Sequence, residues 1–161
     1  MRLTYLVPVL AALLAACSPH GADGTQSATG AATAVHPESG LPVIPLTVTH
    51  QGKPHVFRVE VARSSQEQAK GLMFRTAMGA DEGMIFPTDP PRQAAFWMKN
   101  TVIPLDIIFV GTDGRISNIA ANAVPYSEEA LPSTGMVKGV LELNGGRTAE
   151  LGIVPGDTVS W

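Results

Sequence analysis

The side chains best suited to chemistry in this 161-residue chain gather in one stretch, Phe96-Trp97-Met98-Lys99-Asn100-Thr101, followed by Pro104-Leu105-Asp106. Read as a strand, Phe96 to Lys99 sends Phe96 and Met98 to one face and Trp97 and Lys99 to the other. Asp106 stands in the apolar run Leu-Asp-Ile-Ile-Phe, where an ionised carboxylate is costly without a partner. Lys99, Arg75 or Asn100 could supply that partner. Arg75, Trp97, Lys99, Asn100 and Asp106 therefore form a candidate ligand-binding set. Its cationic and amide donors suit a small anionic or hydroxyl-rich ligand, such as a carboxylate or a saccharide. Glu142, between Leu141 and Leu143, joins the set in one of two ways. It is a further acceptor for Arg75 or Lys99, or it forms an acid–base pair with Asp106. Such a pair would make the chain a hydrolase or lyase and needs the two carboxyls about 5–10 Å apart. The same residues also suit a buried polar network that only fixes strand register. A third reading, a structural or assembly protein, would show an exposed apolar patch and no hollow.

Other chemistry finds little support. There is no Gly-x-Ser-x-Gly elbow, no His-Glu-x-x-His and no phosphate-binding Walker loop. Of the four histidines, His20 and His36 lie in a polar N-terminal stretch, and His50 and His55 read as surface residues of an early hairpin. Met73, Met78, Met84, Met98 and Met136 form no Met-x-Met cluster and read as core fillers rather than copper ligands. Neither a metal nor a cofactor is expected. Eleven basic against fourteen acidic residues, net −3, give no electrostatic reason for a nucleic-acid partner. One cysteine excludes an internal disulfide framework.

The elements that must position these groups are mostly strands. Val43 to Val48 is strand-like, with Pro45 pointing to an edge. Gln51-Gly52-Lys53 turns the chain into a returning strand over His55 to Val61. Ser64 with Glu67 three residues on is a capping box, opening a short helix to Lys70 that Gly71 stops. Gly83–Phe86, Ala94–Met98, Leu105–Val110, Arg115–Val124 and Met136–Leu143 read as further strands. Thr112-Asp113-Gly114 closes a hairpin. Arg147–Leu151 makes one helical turn stopped by Gly152, and a last strand ends at Trp161. With 16 Gly and 13 Pro punctuating short strands, the chain reads as mainly β. The expected fold is an antiparallel sandwich, jelly-roll-like, or a small barrel, with one or two short helices.

The N-terminus reads differently. Leu6 to Ala16 is an apolar run interrupted by Pro8, far short of the ~20 residues a helix needs to cross hydrocarbon. It has the make-up of a signal peptide over residues 1–16, ending in Leu14-Ala15-Ala16-Cys17, which resembles the bacterial lipobox. Cys17 is then the lipidation site and a membrane anchor. Ser18 to Pro42, rich in Gly, Ala, Ser and Thr, reads as a flexible tether with an r.m.s. span of roughly 25–30 Å. One domain is expected over residues 43–161. Serine rather than aspartate after Cys17 points to the periplasmic face of the outer membrane in a diderm organism.

Several blocks occur in order: Gly71-Leu72-Met73-Phe74-Arg75, Gly83-Met84-Ile85-Phe86, Phe96 to Thr101, Pro104 to Phe109, and Leu141-Glu142-Leu143. Together they resemble the DUF192 family of mostly exported or membrane-attached prokaryotic proteins, over roughly residues 56–161. The resemblance implies a mainly-β domain similar to a sandwich or jelly roll and implies no activity. The sequence thus reads as a lipid-anchored binding or accessory domain of the cell envelope. The enzyme alternative, through Asp106 and Glu142, would act on envelope polymer.

Overall fold

The computed structural model of the chain describes residues 34–161. The signal segment, Cys17 and most of the tether lie outside the described residues. Strand β1 (Val43–His50) turns through Gln51 and Gly52 into β2 (Lys53–Val61), both turn residues having positive φ. Pleat alternation puts Leu46 and Val48 of β1 beside Phe57, Val59 and Val61 of β2 in one core. Pro45 is tolerated because the other neighbour of β1 pairs only with Thr47 to Thr49.

Helix α1 (Ser65–Lys70) begins with the expected box: the Ser64 hydroxyl accepts from the Glu67 N–H, and the Glu67 carboxylate accepts from the Ser64 N–H. The helix carries the chain across to β3 (Glu82–Arg92), which pairs parallel to β2; the other strand pairings are antiparallel. Then follow β4 (Ala95–Phe96), β5 (Leu105–Gly111), β6 (Ile116–Ala123), β7 (Leu131–Pro132), β8 (Val137–Asn144), α2 (Arg147–Leu151) and β9 (Thr158–Ser160). Gly114, at φ 81°, makes the tight turn between β5 and β6.

Seven strands form one sheet in the order β6-β5-β8-β3-β2-β1-β9, and β4 pairs with β7 as a separate ribbon. The sheet is mixed, not wholly antiparallel, because α1 provides a crossover. It curls until Arg115 bridges Thr158 and the Val159 N–H donates to the Gly114 carbonyl, yet no barrel closes. The mainly-β, sandwich-like expectation with two short helices is met.

Both faces of the sheet are covered, each by its own core. Leu141 registers with Ile85 and Ile108 on the inner, curled face. Val140 registers with Phe86 and Phe109 on the outer face. That outer core is roofed by Leu72, Ala94 and Met98, residues that come after α1 and around β4. Every residue of β5 is buried, as its place between β6 and β8 demands.

The last part of the expected tether is folded. Val35 bridges Pro42, the Val43 N–H donates to the Ala34 carbonyl at 2.7 Å, and the Ser39 hydroxyl donates to Glu60. This turn is held by polar contacts, and Leu41 packs partly buried against the outer core.

Candidate functional site

Three carboxyls are buried in the sheet, those of Glu60, Asp106 and Glu142, and the surroundings of the last two differ completely. Asp106, with no exposed surface, accepts four hydrogen bonds: from the N–H groups of Asn122 (2.7 Å), Gly146 (2.9 Å) and Thr148 (2.7 Å), and from the Thr148 hydroxyl (2.6 Å). It fastens the start of α2 to β5 and is fully satisfied. Glu142, only 5% exposed, stands on β8 between Met84 of β3 and Ile107 of β5. Its Oε2 has no hydrogen-bond partner. Burial among these apolar neighbours pushes its carboxyl up to about 8, so at neutral pH it holds its proton and is a hydrogen-bond donor.

Above Glu142 lies a hollow of about 180 Å³, walled by Lys70, Phe86, Phe96, Trp97 and Lys99 and by Thr101. Each wall has a local cause. The Gln68 side chain donates to the Ala62 and Pro87 carbonyls, tying α1 over the sheet. Gly71, at φ 47°, ends the helix where a Cβ would sit 3.3 Å from the Phe86 ring. Phe96 packs edge-on against Phe86 (5.0 Å) and Phe109 (6.2 Å), which seats β4 on the outer core. Met98 is fully buried and Trp97 is 48% exposed, but the strand expected to carry this alternation ends at Phe96, and Lys99 and Asn100 form a turn. The Lys99 ammonium lies 5.0 Å from the centre of the Trp97 ring and 3.7 Å from the Glu128 carboxylate. The Met98 N–H donates to Ser127 and the Tyr126 N–H to Thr101, so a second loop braces this segment.

Of the six residues read from the sequence, Trp97, Lys99 and Glu142 share this hollow, and Arg75, Asn100 and Asp106 are not among its walls. Arg75, buried to 5% exposure, donates to both Glu60 oxygens (2.9 and 3.2 Å) and also reaches Glu38 (3.1 Å). Asn100 takes a left-handed turn conformation at φ 54°; its carbonyl accepts from the Phe74 N–H and its amide reaches the Met73 sulfur at 3.8 Å. Asp106 takes its partners from the Asn122 N–H on β6 and from Gly146 and Thr148 at the start of α2, not from Lys99, Arg75 or Asn100. Nor does it pair with Glu142. Asp106 registers with Leu143, and Glu142 with Ile107, so the two side chains leave opposite faces of the sheet. The acid–base pair is therefore corrected to one structural anchor and one isolated acid. Glu142 likewise bonds to neither Arg75 nor Lys99 through its Oε2.

Lys70, Phe86 and Thr101 are walls that sequence reasoning missed. The Gly71 stop was the available signal, since it turns the chain directly after Lys70 toward the sheet. Elsewhere, His50 is held by Asp157 at 3.0 Å, and Asp157 also accepts from the Val154 N–H, a clasp between β1 and the turn before β9. Among the described residues no group of three or more His, Cys, Asp or Glu side chains could hold a metal ion. No helix among them is long and apolar enough to cross a membrane.

The family model DUF192, described as "Uncharacterized ACR, COG1430", matches residues 46–161. The chain is similar to a crystal structure of a protein of unknown function from Novosphingobium aromaticivorans DSM 12444. The identity is 64%, the match covers 82% of this chain and 94% of that one, and the TM-score is 0.79. It is also similar to a Sinorhizobium meliloti 1021 protein whose crystal structure was described as that of a candidate transcription regulator. There the identity is 40%, the match covers 74% and 94%, and the TM-score is 0.72. No curated protein matches the chain.

Proposed function

Because this chain belongs to the DUF192 family, whose description carries no activity, we propose from its own geometry that the domain is a binding module for a small anionic or hydroxyl-rich ligand. The observation that carries this reading is the unpartnered Glu142 carboxyl beneath the hollow shared with Trp97 and Lys99. A buried polar group left unsatisfied costs about 1–3 kcal/mol, which a ligand oxygen seated against it recovers. Lys70 and Lys99 supply charge complementary to an anion, and Trp97 and Phe96 supply flat apolar surface to a ring or alkyl body.

A catalytic reading loses its second carboxyl, since Asp106 is saturated and faces away. The regulator description of the Sinorhizobium meliloti protein does not extend to a nucleic-acid role here, because a net charge of −3 gives phosphates no electrostatic reason to gather. For location, the lipobox-like Leu14-Ala15-Ala16-Cys17 supports a lipid anchor on Cys17 and a place in the cell envelope, on the periplasmic face of the outer membrane in a diderm cell.

Binding is tested by thermal shift of the full chain against small acids and saccharides. A ligand at 100 times its dissociation constant stabilises by about 2.7 kcal/mol, visible as a raised Tm. A panel that leaves Tm unmoved overturns the binding reading. Anchoring is tested by mass spectrometry of the membrane-fraction protein: acyl mass on Cys17, absent from Cys17→Ser, is the expected result, and an unmodified cysteine overturns it.

A further inference from the structure

We propose that the hollow selects a small organic carboxylate, which meets the Glu142 carboxyl as hydrogen-bond donor while Lys70 and Lys99 balance its charge. The inference deepens the binding-module reading and rests on it. Three features of the site lead to it. Glu142 is 95% buried, because 5% of its surface is exposed, and its Oε2 has no partner within the protein. Its neighbours across the sheet are apolar, Met84 and Ile107, and Leu72 and Phe86 give the hollow apolar walls beside the uncharged polar Gln68 and Thr101. Besides Glu142, the ionisable groups that line the same hollow are Lys70 from α1 and Lys99 from the segment after β4, both cationic; Glu128, 3.7 Å from the Lys99 ammonium, stands outside the lining and shares that lysine's charge.

A protonated carboxyl offers an O–H and needs an acceptor. Carboxylate oxygens are the acceptors that gain most, because an O–H donor to an oxyanion forms a charge-assisted bond roughly twice as strong as a neutral one. A cationic ligand would face two lysines. A neutral hydroxyl could accept the bond but would gain nothing from those lysines. The apolar walls favour a monoanion that carries an alkyl or ring body over inorganic phosphate, which has no such part to desolvate. Occupancy then depends on the proton. Burial holds the Glu142 proton up to about pH 8, and above that pH the group becomes an anion facing an anion.

The test is calorimetric titration of the full chain with butyrate, butyramide, galacturonate, galactose and inorganic phosphate between pH 6 and 9.5. Butyrate or galacturonate should bind, with butyramide, galactose and phosphate at least tenfold weaker. Carboxylate affinity should fall by up to tenfold per pH unit above about pH 8. Glu142→Gln keeps a donor but cannot ionise, so it should bind the carboxylate with that fall removed. Lys99→Met, a change at a partly exposed position, should weaken the carboxylate and leave butyramide unchanged. Carboxylate binding that is flat with pH in the wild-type chain overturns the inference. Galactose or phosphate binding in preference to both carboxylates also overturns it and leaves the binding module standing. No binding by any probe overturns both.

Discussion

Replacing Glu142 with Gln exchanges an ionisable group for one of nearly the same shape, in a place where ionisation is expensive. In the unfolded chain this carboxyl titrates near its ordinary value of 4.5, and in the fold burial raises it to about 8. Between those values the folded state keeps a proton that the unfolded state has released, so raising the pH favours unfolding. The native contribution is therefore complete below about pH 4.5, declines through the interval, and reaches its floor above about pH 8. Each pH unit is worth about 1.4 kcal/mol, so the decline is of order 3 kcal/mol by pH 7 and about 5 kcal/mol in full. Glu142→Gln lacks this ionisation. Every other titration is common to both proteins and cancels in their difference. Urea unfolding at pH 5, 6, 7 and 8 should show the variant gaining on the wild type by about 1 kcal/mol or more per pH unit, with equal m-values. A stability difference that stays constant from pH 5 to 8 would refute the claim that this carboxyl is dry and alone.

Two further predictions concern residues placed outside the hollow. Arg75→Met removes both guanidinium bonds from Glu60, which is 3% exposed and keeps only the Ser39 hydroxyl and His36 beside it, and should cost about 3 kcal/mol in urea unfolding, whereas Arg75→Met with Glu60→Leu should recover part of the loss. Asp106→Ala leaves the amides that start α2 without an acceptor and should destabilise by roughly 3 kcal/mol or more, while the protein that remains folded keeps its ligand affinity.

Much of the fold was legible because it is written in local chemistry. The Ser64–Glu67 box, the Gly71 stop and the Asp113-Gly114 turn all depend on neighbours within a few residues, and each appears where the sequence puts it, whereas the strand expected over Ala94–Met98 is only Ala95–Phe96 and the chain turns at Lys99 and Asn100. The resemblance to DUF192 agrees with the match over residues 46–161. The partners of the charged residues were not legible. Arg75 finds Glu60 fifteen positions away and Asp106 finds Thr148 forty-two positions away. Nothing in the spacing along the chain encodes those encounters.

By itself the sequence determined both short helices and most of the strands, though not β7 or the length of β3, and that Asp106 and Glu142 would each sit among apolar neighbours. Only the tertiary structure decided that one of these acids would be saturated by amides and the other left without a partner. The reason is register. On β5 and β8 a shift of one residue exchanges the two faces of the sheet, and the pairing of Asp106 with Leu143 and of Glu142 with Ile107 is set by long-range packing that sequence-local rules do not contain.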